Sequence, residues 1–110
     1  MTVLTIRAHK RFGVCQAIRL HCECDGVVDG LLIEVSLEGC RISNINSDRF
    51  AIDDVVTVEI GGWKTIDACV RWQHDGMIGL RMMQPLHNGE LIELLNLCRG
   101  TSEVNAAKRA

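Results

Sequence analysis

The feature that most constrains this chain is a two-residue alternation that recurs in short runs separated by glycine-bearing turns. Ile18, Leu20, Cys22 and Cys24 fall on one side of the first run, with Arg19, His21 and Glu23 on the other. Leu31, Ile33 and Val35 then alternate with Leu32, Glu34 and Ser36, and Cys40 and Ile42 open a third run after Gly39. Three more inward faces follow: Val56, Val58 and Ile60; then Ile66, Ala68, Val70 and Trp72; then Ile78, Leu80 and Met82. Asp25-Gly26, Gly61-Gly62 and His74-Asp75-Gly76 are turn signals. The polar stretch 44–54 is expected to be a loop from which Phe50 and Ile52 plug the core. Six short strands at regular intervals predict an all-β fold, a small six-stranded antiparallel barrel.

Beyond Pro85 the period changes. Leu91, Ile92, Leu94, Leu95 and Cys98 recur at helical spacing, with Asn88 as the expected N-cap, Glu90 in the first turn and Gly100 as the expected C-cap. A C-terminal helix over 88–98 would cover an open end or edge of the barrel. The 110 residues suit one domain, 1–100, in which 1–12 form a flexible basic arm and 101–110 a disordered polar tail.

Composition narrows the function. Hydrophobic residues make up 47% of the chain, enough for a core, yet no run is long enough for a membrane-spanning helix. The start, Met1-Thr2-Val3-Leu4-Thr5-Ile6-Arg7, lacks a signal-peptide layout, so a cytoplasmic protein without membrane insertion is expected. The six cysteines are read as reduced, since most sit among apolar neighbours. Cys15, His21, Cys22 and Cys24 lack the CxxC spacing of a zinc site, and His21 points away from the two later cysteines. No metal and no cofactor are expected. A formal net charge of −2 argues against DNA or RNA as partner, and no GxSxG, HExxH or phosphate-loop pattern occurs. The chain is not expected to be an enzyme.

What remains is a pair of motifs. Arg7 and Arg11 are four positions apart in the basic segment Arg7-Ala8-His9-Lys10-Arg11, and Glu34-Val35-Ser36-Leu37-Glu38-Gly39 follows downstream. Together they resemble the PilZ domain signature, RxxxR followed by [D/N]xSxxG, with Glu34 where the family has Asp or Asn. Cys69-Val70-Arg71-Trp72 and Ile78-Gly79-Leu80-Arg81-Met82 are similar to the family's VxW and GxRF elements, Met82 standing for Phe. The resemblance covers roughly residues 5–98 and implies a six-stranded barrel with a C-terminal helix, in keeping with the periodicity.

It also implies a ligand, cyclic di-GMP, a compact dianion with two flat guanines. Guanidinium groups suit it, because they grip phosphate with paired hydrogen bonds and stack on purines. By resemblance Arg7 and Arg11 bind phosphate and guanine faces, Glu34 and Ser36 hydrogen-bond the ligand, and Gly39 lets it approach the backbone. Lys10, Trp72 and Arg81 are further candidates. Read from the residues alone, Trp72 is core, Arg81 a solvated sheet-face arginine, Glu34 and Ser36 an outward polar pair, and Gly39 a turn glycine. The resemblance implies a receptor or adaptor, monomeric or weakly dimeric, that changes conformation on binding and signals through a protein partner. The alternative is a ligand-independent interaction module with a degenerate nucleotide site.

Overall fold

The computed structural model describes residues 10–23 and 26–109, with side chains described as far as Arg99. Six strands form in chain order: β1 (Phe12–Cys22), β2 (Gly26–Val35), β3 (Gly39–Ser43), β4 (Val55–Glu59), β5 (Thr65–His74) and β6 (Met77–Met82). One helix, α1 (Asn88–Arg109), follows. All pairings are antiparallel, and the order β1-β2-β3-β6-β5-β4 closes on itself through β4 and β1. The expected barrel with its C-terminal helix is the observed architecture. No helix among the described residues is long and apolar enough to cross a membrane.

The alternation reads correctly wherever the ladders are regular. Val56, Val58 and Ile60, and likewise Ile78, Leu80 and Met82, are all buried. The β5–β6 hairpin turns on Asp75 and Gly76, with φ of 49° and 78°, the positive pair that a two-residue turn between twisted strands requires. At the β1–β2 turn Gly26 has a positive φ, while Cys24 and Asp25 lie outside the described residues.

Inward assignments fail at two β-bulges. Leu32 pairs with Ile42 but Glu34 pairs with Arg41, which leaves Ile33 as an extra residue. Leu32 and Val35 therefore face the core, and Leu31 and Ile33 are only half-buried. In β5, Val70 pairs with Leu80 and Trp72 with Gly79, leaving Arg71 extra. This throws Trp72 out of the core, where it is 37% exposed. A bulge reverses the facing of everything beyond it, so strict alternation misreads those residues. The indole lies flat over Gly79, inside the space where a Cβ would be.

Phe50 plugs the core as expected, but Ile52 does not: it is 53% exposed. A short 3-10 turn, Ser47–Arg49, delivers Phe50 inward, and the next residues turn back to hydrogen-bond β5 through Asp53.

The helix closes one end of the barrel with Leu91, Leu94, Leu95 and Cys98, while Ile92 is 58% exposed. Its N-cap is His87 rather than Asn88. The His87 carbonyl accepts the first helical bond from Leu91 N–H, and its own N–H donates to Glu90 Oε1 at 2.9 Å, a capping-box arrangement. Glu90 also pairs with Lys64, and Trp63 Nε1 donates to Glu93, so the β4–β5 loop is tied to the helix. The helix runs past Gly100 to Arg109 instead of ending near Cys98. One interior glycine costs only about 1 kcal/mol relative to alanine. The following residues include Glu103, Ala106, Ala107 and Lys108, with no proline to stop the turn.

Two expectations follow. Burial pushes the Cys40 thiol up from 9.0 to about 12. A folded pKa above the unfolded one gives stability that is whole below the unfolded value and is lost as pH rises toward the folded one. Stability should fall between pH 9 and about 12, and Cys40→Ala, though weaker at pH 7, should fall less steeply, as denaturant titrations at stepped pH will show. Second, Gly79→Ala should eject the indole of Trp72 at little cost in stability, because that side chain already borders solvent. The readout is a shift of Trp72 emission in a Trp63→Phe background.

Candidate functional site

The site is built on the outside of the barrel wall, above the turn that joins β2 to β3. Ser36 organises that turn. Its N–H donates to the Gly39 carbonyl at 2.8 Å, and its Oγ accepts from Glu38 N–H at 3.3 Å and Gly39 N–H at 3.2 Å. The turn is anchored from beneath, with Met82 N–H donating to the Glu38 carbonyl and Leu86 N–H to that of Leu37. A side-chain oxygen that mimics a backbone acceptor is the usual work of serine in a tight turn.

Gly39 is the first residue of β3 and lies opposite Arg81 of β6. A Cβ there would come within 2.6 Å of the Leu80 carbonyl oxygen. The glycine is thus required by the close approach of two strands, whatever else it does.

Next to this turn a single level of the wall carries Glu34, Arg41, Gly79 and Trp72, one from each of β2, β3, β6 and β5 in register. Arg41 Nη2 is 3.6 Å from Glu34 Oε1, and its Cζ lies 5.4 Å from the Trp72 ring centroid. Because Gly79 has no side chain, the indole can lie down across β6 and meet the guanidinium coming from β3.

A cavity of about 400 Å³ opens over this level. Four arginines line it: Arg11, just before β1; Arg41 on β3; Arg71, the bulged residue of β5; and Arg81 on β6. Arg11, Arg71 and Arg81 form no ion pair with a carboxylate among the described residues. Glu34, Ser36, Glu38, Gly39 and Trp72 complete the part of the wall that concerns ligand chemistry. In a chain of net charge −2, this is a local concentration of positive charge suited to a compact anion.

The structure therefore brings together Arg11, Glu34, Ser36, Gly39, Trp72 and Arg81 from distant parts of the sequence. Arg7 lies outside the described residues. Lys10 does not line the cavity; its Nζ sits 5.6 Å over the Phe12 ring. Sequence reasoning missed Arg41 and Arg71. Arg41 could have been found two places after Gly39, on the outward side of a strand, and Arg71 on the outward side of β5 next to buried Val70; the bulge is what brings Trp72 out beside it.

Among the described residues no cysteine contributes to this cavity beyond Cys40, whose thiol is buried. Among the described residues no three His, Cys, Asp or Glu side chains are grouped to hold a metal ion.

A family model for the PilZ domain matches residues 5–100. A comparison with curated proteins gives no match. The family match spans nearly the whole chain and includes both motifs, the six strands and most of the helix. This protein belongs to the PilZ domain family, a family of non-enzymatic cyclic di-GMP receptors and adaptors.

Proposed function

We propose that this chain is itself a cyclic di-GMP receptor, with the arginine-lined cavity as its binding site. The single observation that carries the reading is the convergence of Arg11, Arg71 and Arg81 on one cavity beside the Ser36–Gly39 turn, none of them in an ion pair with a carboxylate among the described residues although Glu34 and Glu38 share the wall. The ligand's two phosphates supply the missing negative charge, and each guanidinium can present two donors to them. Trp72, half out of the wall, offers an aromatic face beside the same cavity. Arg7 joins the set by the family resemblance and by its spacing from Arg11.

Binding would order the segment carrying Arg7 and Arg11 against the barrel. With the positive charge of the cavity partly offset by the ligand's two phosphates and that segment folded down, the outer wall would present a different surface to a protein partner. Signalling would then proceed through contact, without chemistry.

A second reading rests on Glu34. Its carboxylate is already engaged by Arg41, so the position is not the open acceptor that a nucleotide edge requires. On that reading the barrel is an interaction module that needs no ligand.

Isothermal titration of cyclic di-GMP into the protein, with GTP and GMP as controls, decides between them. The receptor reading expects micromolar or tighter binding. It also expects Arg11→Ala to weaken binding about tenfold to a hundredfold, since charge-assisted hydrogen bonds contribute about 1.5–3 kcal/mol each. Absence of heat up to millimolar ligand decides for the ligand-independent module. Gly39→Ala is a poor probe of binding, because it strikes the backbone of β6 before it meets any ligand.

A further inference from the structure

Arg41 differs from the other three arginines of the cavity. One Nη is held by Glu34, and the guanidinium lies over the Trp72 ring. Its Nε, however, is buried without a hydrogen-bond partner. A guanidinium has donors only, and with Nε closed off from the cavity an incoming acceptor meets the Nη edge. The adjacent carboxylate matters for which acceptor. Glu34 and Arg41 together are close to neutral, and a phosphate brought against Arg41 would also be brought against Glu34. A neutral acceptor edge meets no such repulsion. Guanine has one, its O6 and N7, which match the paired donors of an arginine.

We propose that Arg41 is a specificity-determining residue that reads the O6/N7 edge of a guanine, and that Glu34 is its positioning residue. This rests on the receptor reading above and deepens it: the phosphates fall to the unpaired arginines, and base identity to Arg41. Glu34 then acts on the ligand through Arg41, using its reach across the β2–β3 ladder. Trp72 fixes the plane of the guanidinium, and Gly79 makes room for Trp72.

The test crosses a side chain with one ligand atom. Cyclic di-GMP and its bis(7-deazaguanine) analogue, which lacks the N7 acceptors, are titrated calorimetrically into the wild-type protein and into Arg41→Ala, Arg41→Met and Glu34→Gln. Wild type should bind the analogue about fivefold to a hundredfold more weakly, the range expected for a paired base contact. In both Arg41 variants the two ligands should bind alike, and in Glu34→Gln the ratio should shrink without reaching one. A ratio in the Arg41 variants equal to that of wild type overturns the assignment. So does a wild type that does not distinguish the ligands, or loss of all binding in both Arg41 variants with unchanged far-UV circular dichroism, which would make Arg41 a support of the site. An unchanged ratio in Glu34→Gln removes the positioning role alone. If wild type binds neither nucleotide, the receptor reading itself has failed, and the base-reading role falls with it.

Discussion

Closing a sheet of six short strands into a barrel is the constraint on which the rest depends. Closure pairs β1 with both β2 and β4 and leaves no strand edge open, but it demands strong local coiling. The coiling comes with bulges: one between Gly13 and Gln16, one between Leu32 and Glu34, and one between Val70 and Trp72. A bulge bends its strand and re-aims the side chains beyond it. Here the bulges in β2 and β5 lie next to Glu34, Arg71 and Trp72, all of which line the cavity. The irregularities that let the barrel close are the ones that build its outer site.

The other end of the problem is the barrel's open mouth. Leu91, Leu94, Leu95 and Cys98 of α1 enter the same apolar cluster as Leu20, Val58 and Ile60, so the helix completes the core. Polar ties fix its angle of entry, through Glu90 to His87 and Lys64 and through Glu93 to Trp63. None of the cavity-lining side chains comes from α1. Stability at the mouth and chemistry at the wall are thus carried by separate residues, which leaves the wall free to hold uncompensated charge.

Much of this was legible in the order of residues, and the exceptions have a common cause. Period-two alternation describes β4, β6 and the first half of β5 without error, because regular ladders preserve facing. It fails from Trp72 onward and at Leu31 and Ile33, because nothing in a single strand announces that its partner will oppose two residues with one. The helix starts at Asn88 as expected, but its N-cap was misplaced by one residue, since His87 caps with its backbone rather than as a favoured side-chain type. The site shows the same pattern. Arg11, Ser36, Gly39 and Arg81 stand at motif positions, whereas Arg41 and Arg71 show locally only as outward strand residues, and that they share one cavity depends on cross-strand register.

The glutamate of the second motif gains sense from that register. Glu34 sits opposite Arg41 on neighbouring strands, and their charged atoms are 3.6 Å apart with both side chains about two-thirds covered. An aspartate would place its carboxylate one methylene, about 1.5 Å, further back along its own strand. At that distance the pair would loosen and a water could enter between its members. The longer side chain thus joins the turn region on β2 to the Arg41–Trp72 stack across β3, β6 and β5. Ser36 and Gly39, in the same motif, are committed to the turn and to the β3–β6 contact, and hold the backbone on which that row is aligned. The motif therefore acts first as a piece of architecture. It fixes the spacing of strands so that charged groups remote in sequence share one level of the wall, and the exchange of Asp for Glu alters which of those groups are tied together while leaving the level itself intact.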